Sequence, residues 1–312
     1  MDSARPAPAT EPPGYTAARE GFAHWIRPAG IIDVAGDDRV AYLQGQLTQE
    51  MRNLAPGETR EAAGLTPKGK LLFVARVLGL PDRIRLLLPE SLRNPALEHL
   101  RRYAVFTKVA IEDRSDEFLR VGLYGAGATA RAAAPEDVLR LAGQGEFSAE
   151  LLIPVARRAA IEGLLEAAGS LPVPDETAEI LRVEAARPRF GSDMDGTNLP
   201  DEVGLAAAIS TTKGCYVGQE VVARLRTYGR VNRRLVRFRF PNGAIEPGTA
   251  LRRPEDEAPT RIEAGRVTSS ALSPALGPIG LGFAFRDVAG GDRLLSAADA
   301  RDVAVVSDID PA

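Results

Sequence analysis

The sequence predicts an α+β domain followed by a small β-barrel. In the first part, apolar runs of strand length alternate with amphipathic helices and hairpin turns, which favours a mixed or antiparallel sheet. After Tyr228 and Gly229, turn signals recur at short intervals between apolar runs, as is typical of a small barrel. At 312 residues the chain exceeds the usual size of a single core. We therefore expect a domain at 22–228 and a barrel at 229–312.

The elements of the first domain follow from local patterns. Proline and alanine dominate residues 1–21, which we expect to form a disordered tail. A strand at 31–34 precedes a helix that Asp37 or Asp38 caps, and the segment at 66–70 is a hairpin turn. The one glycine cluster, at 122–127, lacks the spacing of a Rossmann dinucleotide loop. The further predicted elements are strands at 62–65, 71–78, 84–88, 105–111 and 118–124, and helices at 92–103, 128–134, 155–168 and 176–186.

Composition restricts the classes of function. A net charge of −3, with 45% hydrophobic and 26% charged residues, gives no electrostatic reason to expect direct binding to nucleic acid or a membrane. One cysteine and two histidines exclude an internal disulfide and are too few for a self-contained metal or iron–sulfur site. The N-terminus lacks a signal-peptide core, and no run is long enough to span a bilayer. We expect a cytoplasmic bacterial protein, with the mitochondrial matrix as the alternative.

The only cysteine lies in the segment Lys213-Gly214-Cys215-Tyr216-Val217-Gly218-Gln219-Glu220. Its two glycines permit unusual backbone angles and close approach of a ligand. A thiolate is favoured beside a cation or at a helix N-terminus. Lys213 could supply the cation and residues 218–225 the helix. The alternative is a buried, inert cysteine that serves as a small hydrophobe, and the local pattern leaves both open.

This segment, continued by Val-Val-Ala-Arg to Arg224, resembles the signature of the YgfZ family of folate-binding proteins. Members of that family are related to the glycine-cleavage T-protein and to the mitochondrial factor for late iron–sulfur assembly. Supporting matches lie at 37–48, 65–70, 182–193 and 265–270.

The resemblance implies a T-protein-like folate-binding domain with ferredoxin-like halves, followed by the barrel. It also implies tetrahydrofolate, or a folate derivative, as cofactor. Glu184 lies in Arg-Val-Glu-Ala, which is similar to the T-protein segment whose glutamate contacts the pterin. By the same resemblance Cys215 is the reactive residue, and the cofactor-binding residues are Glu184, Lys213, Gly214, Tyr216, Gly218, Gln219, Glu220 and Arg224.

Each of these residues also has a plain structural alternative. Glu184 could be an exposed residue at a helix end, and Tyr216 could be a core aromatic with a satisfied hydroxyl. Glu220 and Arg224 could form an i,i+4 ion pair on the surface.

Two functions follow from the resemblance. The first is a folate-binding accessory protein that supports maturation or repair of [4Fe–4S] enzymes, including those that modify tRNA, with client enzymes or assembly proteins as partners. The alternative is a one-carbon transferase of the T-protein type, so enzymatic turnover stays open. That alternative needs a carboxylate near the reacting nitrogen, and residues 69–76 contain none. Asp33 or Glu202 would have to supply it.

Overall fold

A computed structural model describes residues 11–131, 135–254 and 263–309 of the chain. The helices are α1 Tyr15–Glu20, α2 Arg39–Gln46, α3 Arg93–Tyr103, α4 Ala128–Arg131, α5 Arg158–Ala167, α6 Asp175–Glu184 and α7 Gln219–Tyr228. The strands are β1 Ala23–Arg27, β2 Gly30–Ala35, β3 Thr59–Leu65, β4 Leu71–Gly79, β5 Arg83–Leu88, β6 Ala110–Asp113, β7 Phe118–Tyr124, β8 Leu139–Ala142, β9 Ala149–Pro154, β10 Leu171–Pro172, β11 Arg233–Arg239, β12 Ala250–Arg252, β13 Gly265–Ser273, β14 Gly277–Phe285, β15 Arg293–Ser296 and β16 Asp302–Asp308.

Two five-stranded sheets form the first domain. One has the order β3-β4-β5-β2-β6 and pairs its strands antiparallel. The other has the order β10-β1-β7-β9-β8, in which β1 and β10 are parallel and the other pairs are antiparallel. The sheets meet through an apolar layer that includes Leu78, Leu87, Leu141 and Leu152. The predicted α+β class with two sheet-based halves is confirmed.

The last six strands close into a barrel, in the order β11-β14-β13-β12-β15-β16. Alternate residues of these strands fill its interior, among them Val236 and Phe238 on β11. A separate core joins the barrel to the first domain. It contains Leu65 of β3, Val222 of α7 and Leu281 of β14. The predicted C-terminal barrel is confirmed.

Two local expectations need correction. Residues 1–10 of the expected tail lie outside the described residues, but α1 forms at 15–20 and buries Tyr15. The strand expected at 105–111 begins only at Ala110, because the amide of Thr107 turns back to the carbonyl of Ala104 at the end of α3. Phe106 is 98% exposed as a result.

Within the described ranges, every helix is too short or too polar to cross a membrane.

Candidate functional site

The cysteine segment is anchored to α2 by the buried ammonium group of Lys213. Its Nζ donates to the carbonyl oxygens of Gln44 at 2.8 Å, Leu47 at 2.6 Å and Gln49 at 2.7 Å. The carbonyls of Gln44 and Leu47 belong to the C-terminal end of α2, and that of Gln49 lies just beyond it. The last carbonyls of a helix have no hydrogen-bond donor within the helix, and a cation is favoured there. A backbone hydrogen bond from the amide of Val217 to the carbonyl of Gly45, at 3.0 Å, connects the same two segments.

The ammonium group of Lys213 therefore has no free hydrogen to donate to Cys215. An ammonium group has three hydrogens, and the three carbonyls take all of them. The side chain is 6% exposed, and burial lowers the pKa of Lys213 to about 8. The ammonium group also lies 5.2 Å from the ring of Tyr216. Lys213 is a structural clamp between α2 and the cysteine segment.

Two glycines bring the cysteine segment against the β3–β4 hairpin. Gly218 precedes α7 with φ of 83°, and a Cβ there would lie 2.5 Å from the carbonyl oxygen of Thr66. Gly69, in the hairpin turn, has φ of 71°, and a Cβ there would lie 3.0 Å from Cβ of Val221. Positive φ and close backbone approach both favour glycine. Three of the sequence matches, at 37–48, 65–70 and 213–224, therefore meet in space.

Cys215 lies on the surface of this assembly as a free, exposed thiol. Gly214 beside it is exposed too, and a Cβ at this position would have no neighbouring atom within 4 Å. The buried-cysteine alternative is thereby excluded for this structure. Cys215 is three residues ahead of Gly218, the N-cap of α7.

The other residues of the signature divide into buried and exposed ones. Tyr216 is buried in the core that joins the domain to the barrel, so it packs as a core aromatic. Gln219 is half-buried in the first turn of α7. Glu220 and Arg224 are exposed, and among the described residues neither has an ion-pair partner. The i,i+4 pair between them is not formed.

Glu184 lies at the end of α6 with both carboxylate oxygens engaged. Oε1 accepts hydrogen bonds from the hydroxyls of Tyr15 and Ser273, each at 2.5 Å. Oε2 accepts from the guanidinium of Arg19, also at 2.5 Å. The side chain is 6% exposed, so it is not a solvated helix-end glutamate. Two of the three donors come from α1, the helix within the expected tail.

A buried ion pair ties α6 to the barrel near Glu184. Arg182 Nη1 lies 2.7 Å from Oδ2 of Asp193, whose other oxygen accepts from Thr268 at 2.5 Å and Ser269 at 2.7 Å. Asp193 is fully buried, and these partners satisfy its charge. Two further sequence matches, 182–193 and 265–270, thus meet in a structural network. Within the described residues, no group of three acidic, histidine or cysteine side chains is arranged to hold a metal ion.

The acids considered for a transferase are both engaged elsewhere. Asp33 is buried on β2 and forms a bidentate pair with Arg85, at 2.6 and 2.7 Å. Glu202 accepts from the side chain of Asn198 at 3.2 Å and from the amide of Leu199 at 3.1 Å.

A cleft of about 430 Å³ lies where α7 ends and β11 begins, and none of the predicted site residues lines it. Its charged lining consists of Arg226, Arg230, Arg233, Arg234, Arg286 and Asp201, and we call it the arginine cleft. Sequence reasoning missed it, although a signal was present. Residues 221–245 contain seven arginines and no acidic residue.

Comparison with known proteins gives relatives and a fold. No family model matches the chain. The tRNA-modifying protein YgfZ of Vibrio vulnificus strain YJ016 is 31% identical over 228 residues, which cover 70% of this chain and 69% of the relative. That of Photobacterium profundum is 31% identical over 236 residues, covering 70% and 71%. The crystal structure of glycine cleavage system aminomethyltransferase T from Bartonella henselae superposes with a TM-score of 0.84 over 95% of this chain and 88% of that chain, at 20% identity. At that identity, the structural match shows the fold alone.

Proposed function

We propose a function for this chain from the premise that it belongs to the family of the tRNA-modifying protein YgfZ. It is a folate-binding accessory protein that supports maturation or repair of [4Fe–4S] enzymes, including enzymes that modify tRNA. Cys215 acts on a client protein, and Glu184 marks the folate site.

The observation that carries the proposal is the exposure of Cys215 on a loop that is held in place. The thiol is exposed, while the residues around it are held by the Lys213 clamp and by the close contact of Gly218 with the hairpin. An exposed thiol on a fixed loop can reach a group on another protein without rearrangement of the loop. Because this is the only cysteine of the chain, a cluster that it meets belongs to the client.

The folate site is proposed at Glu184 because its carboxylate is shielded from solvent. The pterin ring presents an edge of N–H donors, and a shielded carboxylate is the acceptor that such an edge needs. In the structure this carboxylate already accepts from Tyr15, Arg19 and Ser273. Its remaining acceptor capacity is about one bond. A pterin edge with several N–H donors therefore binds Glu184 only when Tyr15 and Arg19 of α1 move away from it. Folate and α1 thus compete for this carboxylate.

The alternative of a T-protein-type transferase has less support. Asp33 is held by Arg85, and Glu202 is held by Asn198 and a backbone amide. Neither carboxylate is free to orient a reacting amine.

A complementation assay tests the proposal. A bacterium whose own copy is deleted receives the wild type, Cys215→Ala or the matched control Thr212→Ala, which changes an exposed residue of the same loop. The readout is the amount of thiolated nucleoside made by a [4Fe–4S] tRNA-modifying enzyme. We expect Thr212→Ala to restore the wild-type amount and Cys215→Ala to remain at the level of the deletion strain. Full restoration by a stably folded Cys215→Ala protein would contradict the role of the thiol.

A further inference from the structure

The arginine cleft holds more positive charge than its ion pairs neutralise. Arg226 pairs with Asp201 at 2.8 Å, and Arg234 pairs with Asp308 at 2.5 Å. Arg233 lies 3.7 Å from Glu202 and stacks on the ring of Phe283. These three guanidinium groups have structural roles.

The two remaining arginines of the cleft are Arg230 and Arg286. Across the ranges that the structure describes, the side chains of Arg230 and Arg286 have no acidic or hydrogen-bonding partner, and both residues are exposed. Each guanidinium offers a planar fork of N–H donors that matches the oxygens of a phosphate. The cleft lining therefore includes two exposed groups that can bind an anion.

The charge of this region is not explained by the composition of the chain. With 42 acidic residues in 312, a segment as long as 221–245 would contain about three, and it contains none. A helix C-terminus favours basic side chains in its last turn, which accounts for Arg226. It does not account for Arg230 or Arg286, which lie beyond the helix.

An exposed aromatic residue is next in sequence to the cleft lining. Tyr228, the last residue of α7, is 89% exposed and directly precedes Gly229 of the lining. An exposed ring next to basic side chains is the arrangement on which unpaired bases stack while phosphates are neutralised. The cleft volume of about 430 Å³ suits a ligand of nucleotide size.

We propose that the arginine cleft binds single-stranded nucleic acid, with backbone phosphates on Arg230 and Arg286 and a base stacked on Tyr228. The expectation from net charge, that the chain avoids nucleic acid, averages over the whole surface and misses this local excess. Helix α7 is about 15 Å long, with Cys215 three residues ahead of its N-cap and Arg230 two residues past its last residue. A bound strand thus lies at the opposite end of α7 from Cys215, and its binding requires neither folate nor a client protein.

The test is a fluorescence anisotropy titration of the full chain with labelled twelve-nucleotide single strands of RNA and of DNA. Both strands share the proposed chemistry, so binding of either supports the proposal and shows which one is preferred. The variants are Arg230→Glu/Arg286→Glu and Tyr228→Ala. The matched control is Arg239→Glu, an exposed arginine of β11 outside the cleft. Circular dichroism and thermal unfolding establish that each variant folds.

We expect the double variant to weaken binding at least tenfold and Tyr228→Ala to weaken it about fivefold or more. Arg239→Glu should change binding by less than twofold. Loss of two phosphate contacts should also reduce the slope of log K against log salt by about 1.4, at about 0.7 for each contact on a single strand.

Three results would overturn the proposal. One is the absence of binding by the wild type at 50 mM salt. Another is equal weakening by the double variant and by Arg239→Glu. The third is equal competition by polyglutamate and by unlabelled oligonucleotide, each displacing the labelled strand at the same concentration. That result would identify the cleft as a site for acidic peptides.

Discussion

Replacement of Lys213 by methionine tests the clamp that holds the cysteine segment. Methionine keeps most of the apolar stem and removes the ammonium group, so three buried carbonyls at the end of α2 lose their donor. A hydrogen bond to a charged group contributes about 1.5–3 kcal/mol, and removal of one partner leaves the other unsatisfied. Relief of the buried charge offsets part of this loss, by about 3 kcal/mol for a pKa lowered from 10.5 to about 8. We expect a net loss of about 2–4 kcal/mol in the free energy of unfolding.

Urea denaturation at pH 7 measures this loss, with Lys68→Met as the matched control. Lys68 is an exposed lysine of the adjacent hairpin turn. The control should lose less than about 0.5 kcal/mol, as is usual for surface substitutions. Equal stability of the two variants would refute the clamp.

The pH dependence of unfolding provides a second test of Lys213. Burial holds the pKa of Lys213 at about 8 in the folded chain, below the 10.5 of an ordinary lysine, so between these two pH values the unfolded state binds one more proton than the folded state. Stability therefore rises with pH across this window, by up to about 3 kcal/mol. Lys213→Met should lack this rise, and Lys68→Met should retain it. A rise of the same size in both variants would show that other groups are responsible.

Three further predictions concern the close contacts and ion pairs of the site. Gly218→Ala should destabilise the chain by about 2–4 kcal/mol because of its positive φ and the contact with Thr66, whereas Gly214→Ala should be neutral; a neutral Gly218→Ala in urea denaturation would refute the close approach. Asp193→Asn should lower the unfolding free energy by about 1.5–3 kcal/mol, because Arg182 loses one of its two charge partners and keeps Glu179 at 2.7 Å. Its control, Asp195→Asn, keeps a side-chain acceptor for the turn at Thr197, and equal losses in the two variants would count against the network. Tyr15→Phe/Arg19→Ala should tighten tetrahydrofolate binding about three- to tenfold in calorimetry, because two competing donors are removed from Glu184; weaker binding would mean that α1 forms part of the pocket.

The elements with strong local patterns could be predicted from the sequence. The β3–β4 hairpin has two apolar runs around a turn, and its strands appear at 59–65 and 71–79. Strand β7 falls at 118–124 as expected. The short strands β1, β8 and β10 were missed because two to five residues carry too little periodicity to indicate a strand. Helix α1 was missed because its segment is rich in proline and only six residues long, and because it is held by partners distant in sequence, the carboxylate of Glu184 and an apolar cluster that includes Leu181.

The sequence indicated which segments form the candidate site, but it did not indicate how their side chains are arranged in space. Spacing placed Lys213 two residues from Cys215, yet it could not show that the lysine side chain turns to the carbonyls of α2 while the thiol faces solvent. The burial of Tyr216 in the core could not be predicted either, because the direction of a side chain depends on packing partners that are distant in sequence. The arginine cleft was detectable from an acid-free run, but the net charge of the whole chain concealed it.

A calorimetric titration of the chain with tetrahydrofolate tests the proposed folate site at Glu184. The titration compares the wild type with Glu184→Gln, which keeps the shape of the side chain, and with Cys215→Ala. We expect measurable binding to the wild type, at least tenfold weaker binding to Glu184→Gln and unchanged binding to Cys215→Ala, because the pterin acceptor and the exposed thiol are separate groups. Absence of binding to the wild type, or equal affinity in the wild type and Glu184→Gln, would contradict a folate site at Glu184.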